Sequence, residues 1–187
     1  MPKIYRKLSA AFFLSVVMTL AILAGSVAAE MDCARIPRWS ATKPPVNQQH
    51  VFCGKWNNRK SRPAGFHSRP AGENPPTVGT LKITQQPNAK GLYGVRWSYT
   101  GHPDRAKFSS MFPDTCSEDQ VLQSIVYAAN HSKPCPAGAP RWAQCGSNKP
   151  MRGGKGYCEA ADLTIFTIAF ATLKHSKKIN TAFPVAD

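Results

Sequence analysis

The sequence predicts an α+β fold, antiparallel β-sheets with a helix set among them. Three observations carry this. Strand-like segments fall on both sides of residues 117–129, which hold the clearest run of helical periodicity. The strands are not separated by regular helices, so parallel βαβ architecture is not indicated. Neither a Rossmann fingerprint nor a phosphate-binding P-loop occurs, because the Gly-rich stretch Gly153-Gly154-Lys155-Gly156 lacks that spacing.

The elements follow in chain order. Residues 1–29 read as a secretory signal peptide: basic Lys3, Arg6 and Lys7, an apolar run from Ala10 to about Gly25, then Ser26-Val27-Ala28-Ala29. The run is shorter than the roughly 20 residues a spanning helix needs, so no stable membrane insertion is expected after cleavage. Residues 30–47, with Pro37, Pro44 and Pro45, read as an extended lead-in held by Cys33. Residues 49–56 are expected to form a short strand ending near Gly54, and 57–63 a polar, basic turn. Ala64-Gly65-Phe66-His67 returns towards the core, and 68–76 is a Pro- and Gly-rich loop. Thr80–Thr84 alternates with period two, and Leu92–Tyr99 is β-branched and aromatic. Asn88-Ala89-Lys90-Gly91 between them suits a hairpin turn.

Ser117 and Gln120 fit a capping box, and Val121, Leu122, Ile125, Val126 and Ala129 mark one helical face. Residues 131–157 read as loop, with Pro134, Pro136, Pro140 and Pro150 among glycines. Leu163–Leu173 is a β-rich run, Lys174–Lys178 a basic turn, and Ile179–Val185 a last strand.

Composition bounds the function. The chain carries 24 basic and 10 acidic residues. Loss of the leader removes three basic residues and no acid, leaving a net charge of +11 on 158 residues, one domain by length. Such a surplus favours a polyanion: nucleic acid, an acidic glycan or an anionic membrane. All six cysteines follow the leader, which in an exported chain suggests three disulfides among 15 pairings, with none singled out. There is neither a Cys-x-x-Cys nor a His-x-x-x-His, so a zinc site is not indicated. The expected location is secreted or periplasmic.

Two histidines stand in related settings, His50 in His-Val-Phe-Cys-Gly and His67 in Gly-Phe-His. Imidazoles titrate near neutrality, so a pair can serve as general base and general acid. RNA supplies a fitting reaction, since its 2′-hydroxyl can attack the adjacent phosphorus, which DNA cannot match. A nearby lysine would stabilise the charge that develops on the phosphoryl oxygens.

His50-Val51-Phe52-x-Gly54 followed by Gly65-Phe66-His67 resembles the paired-histidine region of the EndoU endoribonucleases. The resemblance continues through Lys107-x-Ser109-Ser110-Met111-Phe112-Pro113-Asp114 and the helix, and ends at Ile179-Asn180-Thr181-Ala182-Phe183-Pro184. The succession is most similar to the bacterial EndoU branch and covers residues 48–187, the expected nuclease domain. It implies His50, His67 and Lys107 as catalytic residues, the later histidine being the base. It further implies Ser109, Ser110, Thr181 and Phe183 as substrate-binding residues, and cleavage after uridines that leaves a 2′,3′-cyclic phosphate. The substrate would be single-stranded, uridine-containing RNA. No cofactor is required, manganese being an activator of some relatives. A toxin role, with a cognate immunity or inhibitor protein as partner, is also implied.

Phe183 stands where the family often has tyrosine, and keeps the stacking face without the hydroxyl. Lys55 replaces a frequent acid, and the cysteine-bearing segment 131–160 departs from the short connection of the branch. Arg59, Lys60 and Arg62, and Lys174, Lys177 and Lys178, are candidate backbone tracks. Trp56, Trp97, Trp142 and Tyr157 read as packing residues and are not assigned to RNA. The competing class is a non-catalytic cationic protein that binds RNA or another polyanion. A membrane-active cationic protein ranks third, since no amphipathic basic helix is evident.

Overall fold

The computed structural model describes residues 31–185; the leader expected over residues 1–29 lies outside them. The described chain holds antiparallel sheets and one α-helix, an α+β fold. Strands β1 (Lys55–Asn57) and β2 (Arg62–Ala64) form a small hairpin. Strands β3 (Val78–Gln85), β4 (Tyr93–Tyr99) and β5 (His102–Met111) form a meander in the order β3-β4-β5. After helix α1 (Glu118–Asn130), strands β6 (Ser132–Lys133), β7 (Gln144–Ser147), β8 (Thr167–Thr172) and β9 (Ile179–Val185) form a four-stranded sheet.

Helix α1 starts where the capping box places it. The Gln120 amide donates to Ser117 Oγ at 3.3 Å, and the Ser117 amide to Gln120 Oε1 at 2.9 Å. Its buried face is Val121, Leu122, Ser124, Ile125 and Ala128, with Val126 and Ala129 only partly covered. The one buried hydroxyl there is satisfied, Ser124 Oγ accepting the Cys158 amide at 2.8 Å. Burying Val121, Leu122 and Ile125 contributes roughly 1.5–3 kcal/mol each. The partner surface is the four-stranded sheet, through Ile168, Phe170 and Ile179, with Phe166 just before β8.

A second core serves the β3-β4-β5 sheet: Phe66, Tyr93, Val95, Trp97 and Met111. The two cores meet along residues 50–67 and 111–112. There the His67 amide donates to the Val51 carbonyl at 2.7 Å, and the Phe112 amide to the His67 carbonyl at 2.9 Å. His67 thus sits on the seam between the two sheets.

Four expectations are corrected. Gln49–Cys53 is a single wide helical turn, not a strand, and the strand starts only at Lys55. Asn47 starts the turn, its carbonyl accepting the His50 amide at 3.0 Å and its side-chain oxygen the same amide at 3.2 Å. Val51, Phe52 and Cys53 are all buried in succession, which a half-covered strand does not allow. Strand β5 was not expected at all: its first half, His-Pro-Asp-Arg-Ala, is polar and solvent-exposed, as edge strands often are. Residues 131–157 hold β6 and β7 within what reads as loop. The β-rich run begins as a strand only at Thr167, because exposed Leu163 takes a left-handed φ of 62°.

The disulfides are Cys33–Cys53, Cys116–Cys158 and Cys135–Cys145. The first ties the lead-in to the His50 turn, and the second ties α1 to the 148–160 segment. The lead-in also joins the four-stranded sheet edge, where the Asn47 amide donates to the Ile179 carbonyl at 2.9 Å. No helix among the described residues is long and apolar enough to cross a membrane.

Candidate active site

A cleft of about 440 Å³ opens where the hairpin, the meander and the four-stranded sheet converge. All seven site residues named from the sequence line it: His50, His67, Lys107, Ser109, Ser110, Thr181 and Phe183. The wide turn delivers His50, the segment after β2 delivers His67, β5 delivers residues 107–110, and β9 delivers Thr181 and Phe183.

Two glycines make the arrangement fit. Gly65 has φ +82°, and a Cβ there would collide with the His50 backbone carbonyl oxygen. Gly54 has φ +65° and lies against the indole of Trp97, which a Cβ would meet at 2.6 Å. Side chains at either position would push the histidine-bearing segments apart.

The imidazole centroids of His50 and His67 lie 6.1 Å apart, with the rings tilted by 34°. That separation leaves room for a reacting group between them. His67 Nδ1 lies 3.0 Å from the Ser110 carbonyl oxygen. A carbonyl only accepts, so Nδ1 carries the proton and Nε2 keeps its lone pair. His67 Nε2 has no hydrogen bond and is not a buried orphan, so it opens on the cleft. His67 as a residue is 5% exposed, and it lines the cleft. His50 Nδ1 is buried without a partner. A buried lone pair is tolerated better than a buried unpaired N–H, which puts the His50 proton on Nε2.

Burial is the first cause that lowers the histidine pKa values. His50 falls to about 3, with Lys107, Lys55 and Arg38 adding repulsion. His67 falls well below 6.5, through burial, then Lys107 and His50, against the bond to Ser110. Lys107 is lowered to about 7 by burial, then by Arg62. Lys60, Arg62 and Lys107 all line the cleft, and no described Asp or Glu does.

A stability prediction arises here. Unfolded histidines titrate near 6.5, whereas folded His50 and His67 stay neutral to lower pH. The unfolded state therefore binds more protons below 6.5, and stability falls as pH drops through that range. Each histidine contributes up to about 1.4 kcal/mol per pH unit. Thermal melts between pH 7 and pH 5 should show a falling Tm, with a shallower slope in H50Q/H67Q. Equal slopes would contradict the buried neutral pair.

Lys107 is positioned by Ser109. Its Nζ donates to Ser109 Oγ at 2.6 Å and to the Gly65 carbonyl at 3.1 Å. Ser109 Oγ also accepts from Trp97 Nε1 at 3.0 Å and donates to the Gly65 carbonyl at 3.1 Å. One donor and two lone pairs are then all used, so Ser109 holds the ammonium instead of offering a free hydroxyl. Ser110 gives its backbone carbonyl to His67 while lining the cleft. Phe183 stacks on His67, with centroids 5.1 Å apart and planes 28° apart.

Sequence reasoning missed part of the wall. Asn57 and the exposed ring of Phe108 line the cleft, as does Trp142, which is 60% exposed. Trp97 is fully buried, as a packing residue should be, and Tyr157 packs on Tyr127. Trp56 stacks on His102 away from the cleft. Of the basic clusters, Lys60 and Arg62 reach the cleft, whereas Lys178 lies over Trp39. Among the described residues no group of three or more His, Cys, Asp or Glu is placed to hold a metal ion.

Two imidazoles and an ammonium thus line one cationic cleft between the sheets. The chain belongs to the bacterial EndoU nuclease family, whose model, described as bacterial EndoU nuclease, matches residues 45–186. It is accordingly a nuclease, with RNA as the substrate that the family implies. No curated protein and no solved structure matches the chain.

Proposed function

We propose that this protein is an exported endoribonuclease that cuts single-stranded RNA 3′ of uridine, or of a pyrimidine more broadly, by transesterification. His67 Nε2 takes the proton of the ribose 2′-hydroxyl. The O2′–P bond forms as the P–O5′ bond breaks. His50 gives a proton to the departing 5′-oxygen. The products are a 2′,3′-cyclic phosphate and a 5′-hydroxyl. Lys107, held by Ser109, stabilises the negative charge of the phosphorane. Thr181 and Ser110 face the bound nucleotide, and Phe183 lies at its base.

The observation that carries the reading is the Nδ1 bond of His67 to the Ser110 carbonyl, which leaves Nε2 as a free base 6.1 Å, ring to ring, from a second imidazole. The phosphodiester supplies the charge that the cleft needs. Its negative oxygens favour the protonated forms of His50 and Lys107, opposing the effect of burial.

The three disulfides suit an oxidising compartment, which supports export. The reading extends to action as a toxin on another cell's RNA, with an immunity protein in the producer.

The test uses a defined oligoribonucleotide with one uridine and mass spectrometry of the ends. The expected result is a single cut 3′ of uridine with a cyclic phosphate end, blocked when that uridine is 2′-deoxy. Cleavage persists in a chelator, and manganese only accelerates it. Salt-sensitive binding with no product would replace this reading with that of a polyanion-binding protein.

A further inference from the structure

The loop closed by the Cys135–Cys145 disulfide presents an aromatic side chain to the cleft. Its backbone makes two successive turns, the Ala139 amide donating to Pro136 at 3.0 Å and the Ala143 amide to Pro140 at 2.9 Å. Ala139 and Ala143 pack on a small core of Cys145, Ala169 and Val185, which Phe183 also joins. Two prolines, a disulfide and this packing fix the loop at both ends. With the alanines turned inward, Trp142 faces out at the cleft mouth, 60% exposed.

Its placement is specific. The Trp142 and Phe183 centroids lie 6.0 Å apart with the planes at 65°, an edge-to-face corner. Phe183 already gives one face to His67. The exposed indole lies one ring further out, next to the Phe183 ring that stacks on His67. Stacking needs a flat π-system, and nucleobases provide one whatever their hydrogen-bonding edge.

Resting on the reading of the cleft as a ribonuclease site, we infer that Trp142 and Phe183 form a corner-shaped subsite for the nucleobase of the nucleotide whose 2′-hydroxyl attacks. The base stacks on the indole, with the Phe183 ring at its edge. The Cys135–Cys145 loop is the device that holds the indole there. Trp142 is a binding and specificity residue, without a part in proton transfer.

The test measures binding apart from cleavage. A labelled oligoribonucleotide carrying 2′-deoxyuridine at the scissile position is titrated by fluorescence anisotropy. W142A should bind it about 5- to 150-fold more weakly, the span of one aromatic–base stack. W142F should recover most of that loss. Binding should quench tryptophan emission in the wild type, and the quench should be largely lost in W142F even though the oligonucleotide still binds. Wild-type affinity in W142A, or an undiminished quench in W142F, would overturn the subsite. Normal binding of the deoxy-substituted strand without cleavage of the all-ribose strand would instead remove the nuclease reading and leave the stacking result standing.

Discussion

H67N and H67A should both lose at least about a hundredfold in kcat/KM, the low end for acid–base catalysis, but H67N should melt closer to the wild type. The two variants separate two jobs of one ring. Asparagine places an N–H where His67 has Nδ1, so it can still donate to the Ser110 carbonyl that His67 reaches at 3.0 Å. It has nothing in place of Nε2. Alanine loses both and leaves a gap in a residue that is almost wholly buried. If His67 only held the seam between the sheets, H67N would retain activity. H50A should be similarly slow. Groups that act as a unit are not additive, so H50A/H67A should be little worse than the poorer single variant. The measurement is initial rate against RNA concentration, with melting curves on the same preparations. A folded H67N with wild-type rates would remove His67 from the chemistry.

The sequence was most informative where periodicity is local. The Ser117 cap, the apolar face of α1, the β3–β4 hairpin and β9 follow from residues adjacent in the chain. The site residues were legible through short motifs around His50, His67 and Lys107, and the fold brings them to one cleft. What stayed hidden is set by distant contacts. Strand β5 has no apolar alternation over His102–Ala106, because an edge position leaves those side chains in solvent. The Gln49–Cys53 turn resembles a strand because its buried residues are β-prone; the successive burial of Val51, Phe52 and Cys53 and the bonds from the His50 amide to Asn47 decide otherwise. Trp142 reads like any tryptophan in a Pro-rich stretch. Only the Cys135–Cys145 pairing, one of several the sequence permits, brings it beside Phe183. Ser109 illustrates the reverse case. Its motif suggests substrate contact, and its three hydrogen-bond partners commit it to Lys107.

Replacing Lys107 with methionine should lower kcat/KM by about 10²–10³, the cost of one preorganised oxyanion donor, and at the same time raise the melting temperature. The two changes share one cause. Burial, with Arg62, lowers the Lys107 pKa from 10.5 to about 7. Below pH 7 the folded protein therefore carries a buried ammonium that the unfolded chain carries at less expense. Between pH 7 and pH 10.5 the unfolded state binds the extra proton, so wild-type stability rises with pH across that window. Methionine follows the same unbranched stem, one atom shorter, and carries no charge. It leaves no orphaned carbonyl, since Gly65 still accepts from Ser109. The advantage of K107M should be largest at pH 6 and shrink towards pH 10, at about 2–4 °C for each kcal/mol. Activity should follow the same ionisation from the other side: wild-type kcat/KM should fall as pH rises through about 7, while K107R, charged throughout, should move that limb to higher pH. A surface lysine with no catalytic part would give neither signature. A K107M protein that keeps its activity, or melts lower than wild type at pH 6, would show that the ammonium is there to hold the fold, and would take the phosphorane-stabilising role away from it.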